Sequence, residues 1–112
     1  MGVEINENSI KDAIRNSKIN NINNINFICG DSGSIIKETS FNPDVIIVDP
    51  PRSGLNKQTI LNIINLNAEK IIYVSCAPMT FVRDLNLLNE KYEIKEITPF
   101  DMFPNTKHVE SL

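Results

Sequence analysis

The chain has 112 residues, with 11 Lys and Arg against 14 Asp and Glu and a net charge of −3, which is the size of one small domain with a single core. At 41% hydrophobic and 22% charged residues it is too apolar for a disordered segment, and it holds no apolar run long enough to span a bilayer. The start MGVEINENS lacks the basic-then-apolar layout of a signal peptide, so a cytoplasmic location is the expectation, and the acidic balance argues against this segment gripping a nucleic-acid backbone by itself.

Along the chain, short strand-like runs alternate with helix-period stretches, the layout of an α/β sheet. GVEI, from Gly2 to Ile5, reads as a strand. Asn8 and Ser9 cap a helix that carries Ile10, Ala13 and Ile14 on one face, and the Asn-rich stretch from Asn20 to Asn24 ends it. NFIC, from Asn26 to Cys29, is a second strand closed by Gly30 and Asp31. A short helix is expected over Ser34 to Lys37.

DVIIVD, from Asp44 to Asp49, is β-branched without alternation, as in a parallel strand covered on both faces. Pro50 and Pro51 stop it. Residues Lys57 to Asn65 give a helix with Ile60, Ile63 and Ile64 on one side. KIIYVSC, from Lys70 to Cys76, is the next strand, and Pro78 suits the first turn of a helix that turns Phe81, Leu85 and Leu88 inward. YEIKEITPF alternates like a strand and HVESL begins another. No linker or internal boundary is expected, so residues 1–112 read as one partial domain.

In open parallel sheets, ligands bind outside the carboxyl ends of the strands. Four polar residues fall there in succession: Glu4, Asp31, Asp49 and Cys76. Glu4 has the chemistry to accept from a ribose diol, although it also reads as a solvated loop carboxylate. Asp31 can accept from an adenine amine, or simply form an Asx-turn after Gly30. The Asp49-Pro50-Pro51-Arg52 segment is the stronger signal, because consecutive prolines freeze the backbone and hold the carboxylate beside a ligand.

Cys76 lies between a buried strand and a helix start, where exposed amides favour the reactive thiolate. It reads equally well as an inert small hydrophobe. Cys29 lies within a strand and reads as core. Two cysteines outside any CxxC pair argue against a disulfide framework and a structural zinc. Near the C-terminus, His108 and Glu110 stand two apart on a strand and share a face. Glu110 has the chemistry of a general base, and ordinary polar residues on an edge strand are the plainer reading of both.

DPPRSGL, IIYVSCAPMTFVRDL and PFDMFPNTKHVESL, in this order, resemble the RNA uracil-C5 methyltransferases, and the ribosomal-RNA members more than the transfer-RNA members. The resemblance covers nearly the whole chain. It implies a Rossmann-like α/β fold, S-adenosylmethionine as cofactor, and RNA, ribosomal rather than transfer, as partner. It also implies Cys76 as nucleophile and Glu110 as the base that removes the carbon-5 proton. Glu4 and Asp31 match the positions that hold the cofactor's ribose and adenine. Asp49 matches a residue lining the cofactor and uracil pocket, and Arg52 supports that loop or meets phosphate.

The sequence departs from the family pattern in three places. The glycine-rich strand-to-helix turn and the strand before it are not in the chain, nor is an RNA-binding module, and Ala77 stands where the family usually has Asn. A truncated domain is the expectation, with edges at GVEI and DVIIVD that either pair directly or self-associate. Two other readings compete: a non-catalytic fragment, and a methyltransferase acting on an exocyclic amine, which leaves Cys76 and Glu110 without roles.

Overall fold

The computed structural model of the chain describes residues 1–38, 40–102, 104–106 and 109–112. Two compact units follow one another in the chain, Met1–Thr39 and Ser40–Leu112.

The first unit consists of β1 (Gly2–Glu4), α1 (Glu7–Ile19), β2 (Phe27–Cys29) and α2 (Ser32–Glu38). β1 and β2 run parallel, with Gly2 opposite Phe27 and Glu4 opposite Cys29. A parallel pair needs a crossover, and α1 supplies it. This helix starts ahead of the expected Asn8/Ser9 cap because the Asn6 side chain accepts from the amides of Asn8 and Ser9. Ile10 is its buried contact. The Asn-rich run ends the helix as expected, with Asn20 as C-cap and Asn21 in the left-handed region at φ 56°. α2 is longer at both ends than the sequence suggests.

The second unit holds β3 (Val45–Val48), α3 (Lys57–Leu66), β4 (Lys70–Tyr73), α4 (Pro78–Leu88), β5 (Pro99–Phe100) and β6 (Glu110–Ser111). β3 and β4 are parallel, in the register Val45 to Lys70 through Val48 to Tyr73. β5 and β6 are antiparallel, with Phe100 opposite Glu110. A single antiparallel bridge between Ser75 and Ser111 joins the two pairs edge to edge. Asn56 caps α3 by accepting from the Thr59 amide, and Asn67 closes it in the left-handed conformation. α3 packs on α4, and the core between them includes Ile60, Ile63, Phe81 and Leu88.

The structure corrects the expectation that DVIIVD is covered on both faces. Ile46 and Val48 share a face with Ile71 and Tyr73, and that face turns to α4, where the Tyr73 and Phe81 rings lie 5.1 Å apart. The opposite face carries Val45, Ile47 and Ile72, which are 46%, 68% and 38% exposed. A two-stranded ladder with its packed helices on one side has a bare second side. The apolar run came from β propensity and one-sided burial.

A second correction concerns YEIKEITPF, which is a strand only at Pro99–Phe100. Among the described residues it finds a ladder partner no earlier than Thr98, which exchanges backbone hydrogen bonds with Leu112 at 2.8 and 3.0 Å. A cavity of about 740 Å³ therefore stays open between β4, α4 and this stretch, lined by Ile71, Tyr73, Tyr92 and Leu112 among others. The Tyr92 hydroxyl is buried there without a hydrogen-bond partner. β1 pairs with β2 and β3 with β4. The direct pairing of β1 with β3, one of the two expected ways to satisfy those edges, is not found among the described residues.

Candidate functional site

In the first unit, Glu4 ends β1 directly opposite Cys29, and the Gly30 amide donates to the Glu4 carbonyl at 3.0 Å. The parallel ladder thus delivers Glu4 and Asp31 to the same carboxyl-end edge, and both are exposed. Each also has a local partner. Glu4 Oε1 accepts from the Asn6 amide at 2.7 Å. Asp31 Oδ2 accepts from the Ser34 amide at 2.8 Å and the Ser34 hydroxyl at 2.9 Å. Those Ser34 bonds, the amide first and the hydroxyl second, hold the Asp31 carboxyl below its ordinary pKa. Cys29, expected in the core, is exposed instead. It is the last and most exposed residue of a three-residue strand.

In the second unit, Cys76 follows two residues whose backbones are tied to neighbouring segments. The Val74 amide donates to the Val48 carbonyl at 2.9 Å, carrying the β3–β4 pairing one step past its named end. Pro50 is buried while Asp49 and Arg52 are exposed. On the other side, Ser75 and Ser111 each donate a backbone amide to the other's carbonyl, both at 2.8 Å. Cys76 follows Ser75 and Glu110 precedes Ser111, so each stands one residue from that bridge. Both are half-buried. His108, expected on the same strand face as Glu110, lies outside the described residues.

The turn that presents Cys76 is built locally. The Ser75 hydroxyl accepts from the Ala77 amide at 3.1 Å. Ala77 is the N-cap of α4 and makes no side-chain cap bond, with Pro78 in the first turn. Cys76 therefore sits one residue before the cap.

One cluster was missed in the sequence. Asp84 is fully buried in α4. Its Oδ2 accepts from the Tyr73 hydroxyl at 2.6 Å and from the Leu55 amide at 2.7 Å. Its Oδ1 accepts from Arg83 Nε at 2.9 Å and Nη2 at 2.7 Å. Burial first, then the Asp84 carboxylate, pushes the Tyr73 phenol far above its usual value. The signal was present: residue 84 falls on the helical face of Phe81 and Leu88, where a solvent-facing aspartate does not belong.

The description tRNA (uracil-5-)-methyltransferase matches residues 1–112. The chain belongs to that family. It is 46% identical over 114 residues to an uncharacterized RNA methyltransferase of Staphylococcus aureus, covering 99% of this chain and 25% of the relative. It is 44% identical over 113 residues to another from Clostridium tetani, covering 100% of this chain and 25% of that one. A solved structure, the tRNA (uracil-54, C5)-methyltransferase of Pyrococcus abyssi in complex with S-adenosyl-L-homocysteine, matches with a TM-score of 0.84 and 40% identity. That match covers 98% of this chain and 26% of the archaeal one.

The fold is therefore the Rossmann-like α/β fold of the methyltransferases, as the motifs implied. The chain spans about a quarter of the length of the curated relatives it matches. Among its described residues no group of three or more His, Cys, Asp or Glu is arranged to hold a metal, and no helix is long and apolar enough to cross a membrane.

Proposed function

We propose that this chain is part of the catalytic domain of an S-adenosylmethionine-dependent enzyme that methylates carbon-5 of a uridine in RNA, with Cys76 as nucleophile and Glu110 as base. The observation that supports the reading is the doubly hydrogen-bonded Ser75–Ser111 pair, which joins the segment carrying Cys76 to the segment carrying Glu110, each one residue from the bridge.

The residues present fit the cofactor. Glu4 is an exposed acceptor suited to a ribose diol, and Asp31, its carboxyl held ionised by Ser34, is an acceptor suited to an adenine amine. Asp49 follows β3 as an exposed carboxylate, with Pro50 and Pro51 after it. When bound, the cofactor supplies an electrophilic methyl group.

The protein's part is to make carbon-5 nucleophilic. The Cys76 thiolate adds to carbon-6 of the uracil, the carbon-5–carbon-6 double bond opens, and electron density collects on carbon-5 as an enolate. After carbon-5 is methylated, Glu110 accepts its proton and the Cys76–carbon-6 bond breaks, returning the thiolate. The uridine has to leave its stack to reach such a pair. Arg52, on the turn after Asp49, is suited to a phosphate.

Ribosomal RNA is the substrate that the motif resemblance favours, and the solved archaeal relative is named for transfer RNA. Competing the two RNAs for methyl incorporation separates these. The test of the chemistry is incubation with 5-fluorouridine RNA and S-adenosylmethionine, since fluorine cannot leave as a proton and the adduct persists. A covalent complex that disappears in Cys76→Ala is expected; methyl transfer without Cys76 would overturn the reading.

A further inference from the structure

The turn following β3 and the turn following β4 are tied to the same two turns of α4. Gly54 donates to the Pro51 carbonyl at 2.8 Å and adopts φ 72°, closing the DPPRSG stretch into a tight turn. Arg83 Nη2 reaches across to the carbonyls of Ser53 at 2.9 Å and Leu55 at 3.0 Å. Asp84 takes the Leu55 amide. The Thr80 hydroxyl lies 3.0 Å from both the Arg52 and the Ala77 carbonyls, so its one proton is shared between the turn after Asp49 and the turn after Cys76.

The fit at Gly54 is close on all sides. A Cβ there would lie 2.6 Å from Arg83 Nη2 and 2.6 Å from Asp84 Oδ2. Such a contact requires the cluster to move, and the left-handed backbone disfavours any side chain. A fully buried carboxylate with four donors is a rigid anchor, because moving any partner strands a charge.

We propose that Asp84 is a positioning residue. Through Leu55, Arg83 and Tyr73 it holds the turn after Asp49 against the start of α4, two residues after Cys76. The proposal rests on the assignment of Cys76 as the reactive thiol. It adds that access to that sulfur is controlled from a residue that touches neither cofactor nor uracil.

The test is the rate of Cys76 alkylation by iodoacetamide across pH in the whole chain, in a Cys29→Ser background that leaves one thiol. Asp84→Asn is expected to raise the rate about fivefold or more, because the turn after Asp49 is no longer held against the turn that presents Cys76. Gly54→Ala disturbs the same cluster while keeping the carboxylate. It is expected to behave alike, and it stands in if Asp84→Asn does not fold. Ile63→Val, which loosens the core elsewhere, is the control and is expected to leave the rate unchanged below its melting transition. Wild-type rates in the cluster variants, or an equal rise in Ile63→Val, would overturn the proposal. Because alkylation needs no RNA, this result stands or falls separately from adduct formation on 5-fluorouridine RNA.

Discussion

Ser75 and Ser111 exchange amides and carbonyls at 2.8 Å in both directions, and each is the chain neighbour of one proposed catalytic residue, Cys76 or Glu110. Ser111→Pro removes one of the two donors and restricts the backbone of Glu110 before it. A buried acceptor left unpaired costs about 1–3 kcal/mol. The midpoint of urea unfolding is expected to fall accordingly. The covalent adduct on 5-fluorouridine RNA is expected to be lost at urea concentrations where the variant is still folded.

Glu110→Gln separates the two halves of the proposed chemistry. The amide cannot accept the carbon-5 proton, while the thiol that adds to carbon-6 is untouched. Turnover on ordinary uridine is expected to fall by about 10²–10⁴, and a methylated covalent complex is expected to accumulate on a denaturing gel. A fall in turnover with no trapped complex assigns the base to another residue.

Asp31 serves α2 as well as the proposed cofactor site, and Asp31→Asn tells these apart. Asn keeps an oxygen for the Ser34 amide, so the cap survives. It loses the charge that the adenine amine would meet. Near neutral pH the melting temperature is expected to change little, while affinity for S-adenosylmethionine, read by calorimetry, drops on the order of tenfold. The folded carboxyl titrates below its ordinary value of 3.8, so its stabilising effect is present above that pH and fades as pH falls through the lower folded value. The acid limb of the melting curve is expected to be shallower in the variant.

Local patterns were legible in the sequence where one element decides them. α3 begins at Lys57 and α4 at Pro78, as expected, and β4 follows its β-branched run. The four strand-end residues do lie at the carboxyl ends of parallel pairs. What the sequence could not report is which face finds a partner. Ile47 sits in an unbroken apolar run yet is 68% exposed, because cover comes from helices that pack on the other side. Cys29 looked like core for the same reason. The Asp84 cluster could not be read locally, because its partners Leu55 and Tyr73 are 29 and 11 residues away.

Tyr73 makes the buried cluster visible in alkaline solution. Its phenol is raised well above 10.0 by burial and by Asp84, and Tyr92 is raised by burial. Above pH 10 the unfolded chain therefore loses phenolic protons that the folded chain keeps, and stability declines with rising pH. Tyr73→Phe removes the donor at 2.6 Å from Asp84 and is expected to lower stability at pH 7 by about 1–2 kcal/mol. Its alkaline slope, read from urea midpoints between pH 9 and 11, is expected to be flatter than the wild type's.

The exposed face of the β3–β4 ladder bears on the expected self-association. Val45, Ile47 and Ile72 form an apolar strip on two strands, and β3 has no second ladder partner among the described residues. An unpaired edge beside an apolar face is a template for another copy. Ile47→Lys places a charge in the middle of that strip. Because Ile47 is largely exposed, the folding stability of one copy is expected to change by no more than about 0.5 kcal/mol. Light scattering coupled to size exclusion is expected to give a concentration-dependent mass for the wild type and a monomer mass for the variant. A wild-type chain that elutes as a monomer at every concentration, or a variant that associates as before, removes this face as the contact.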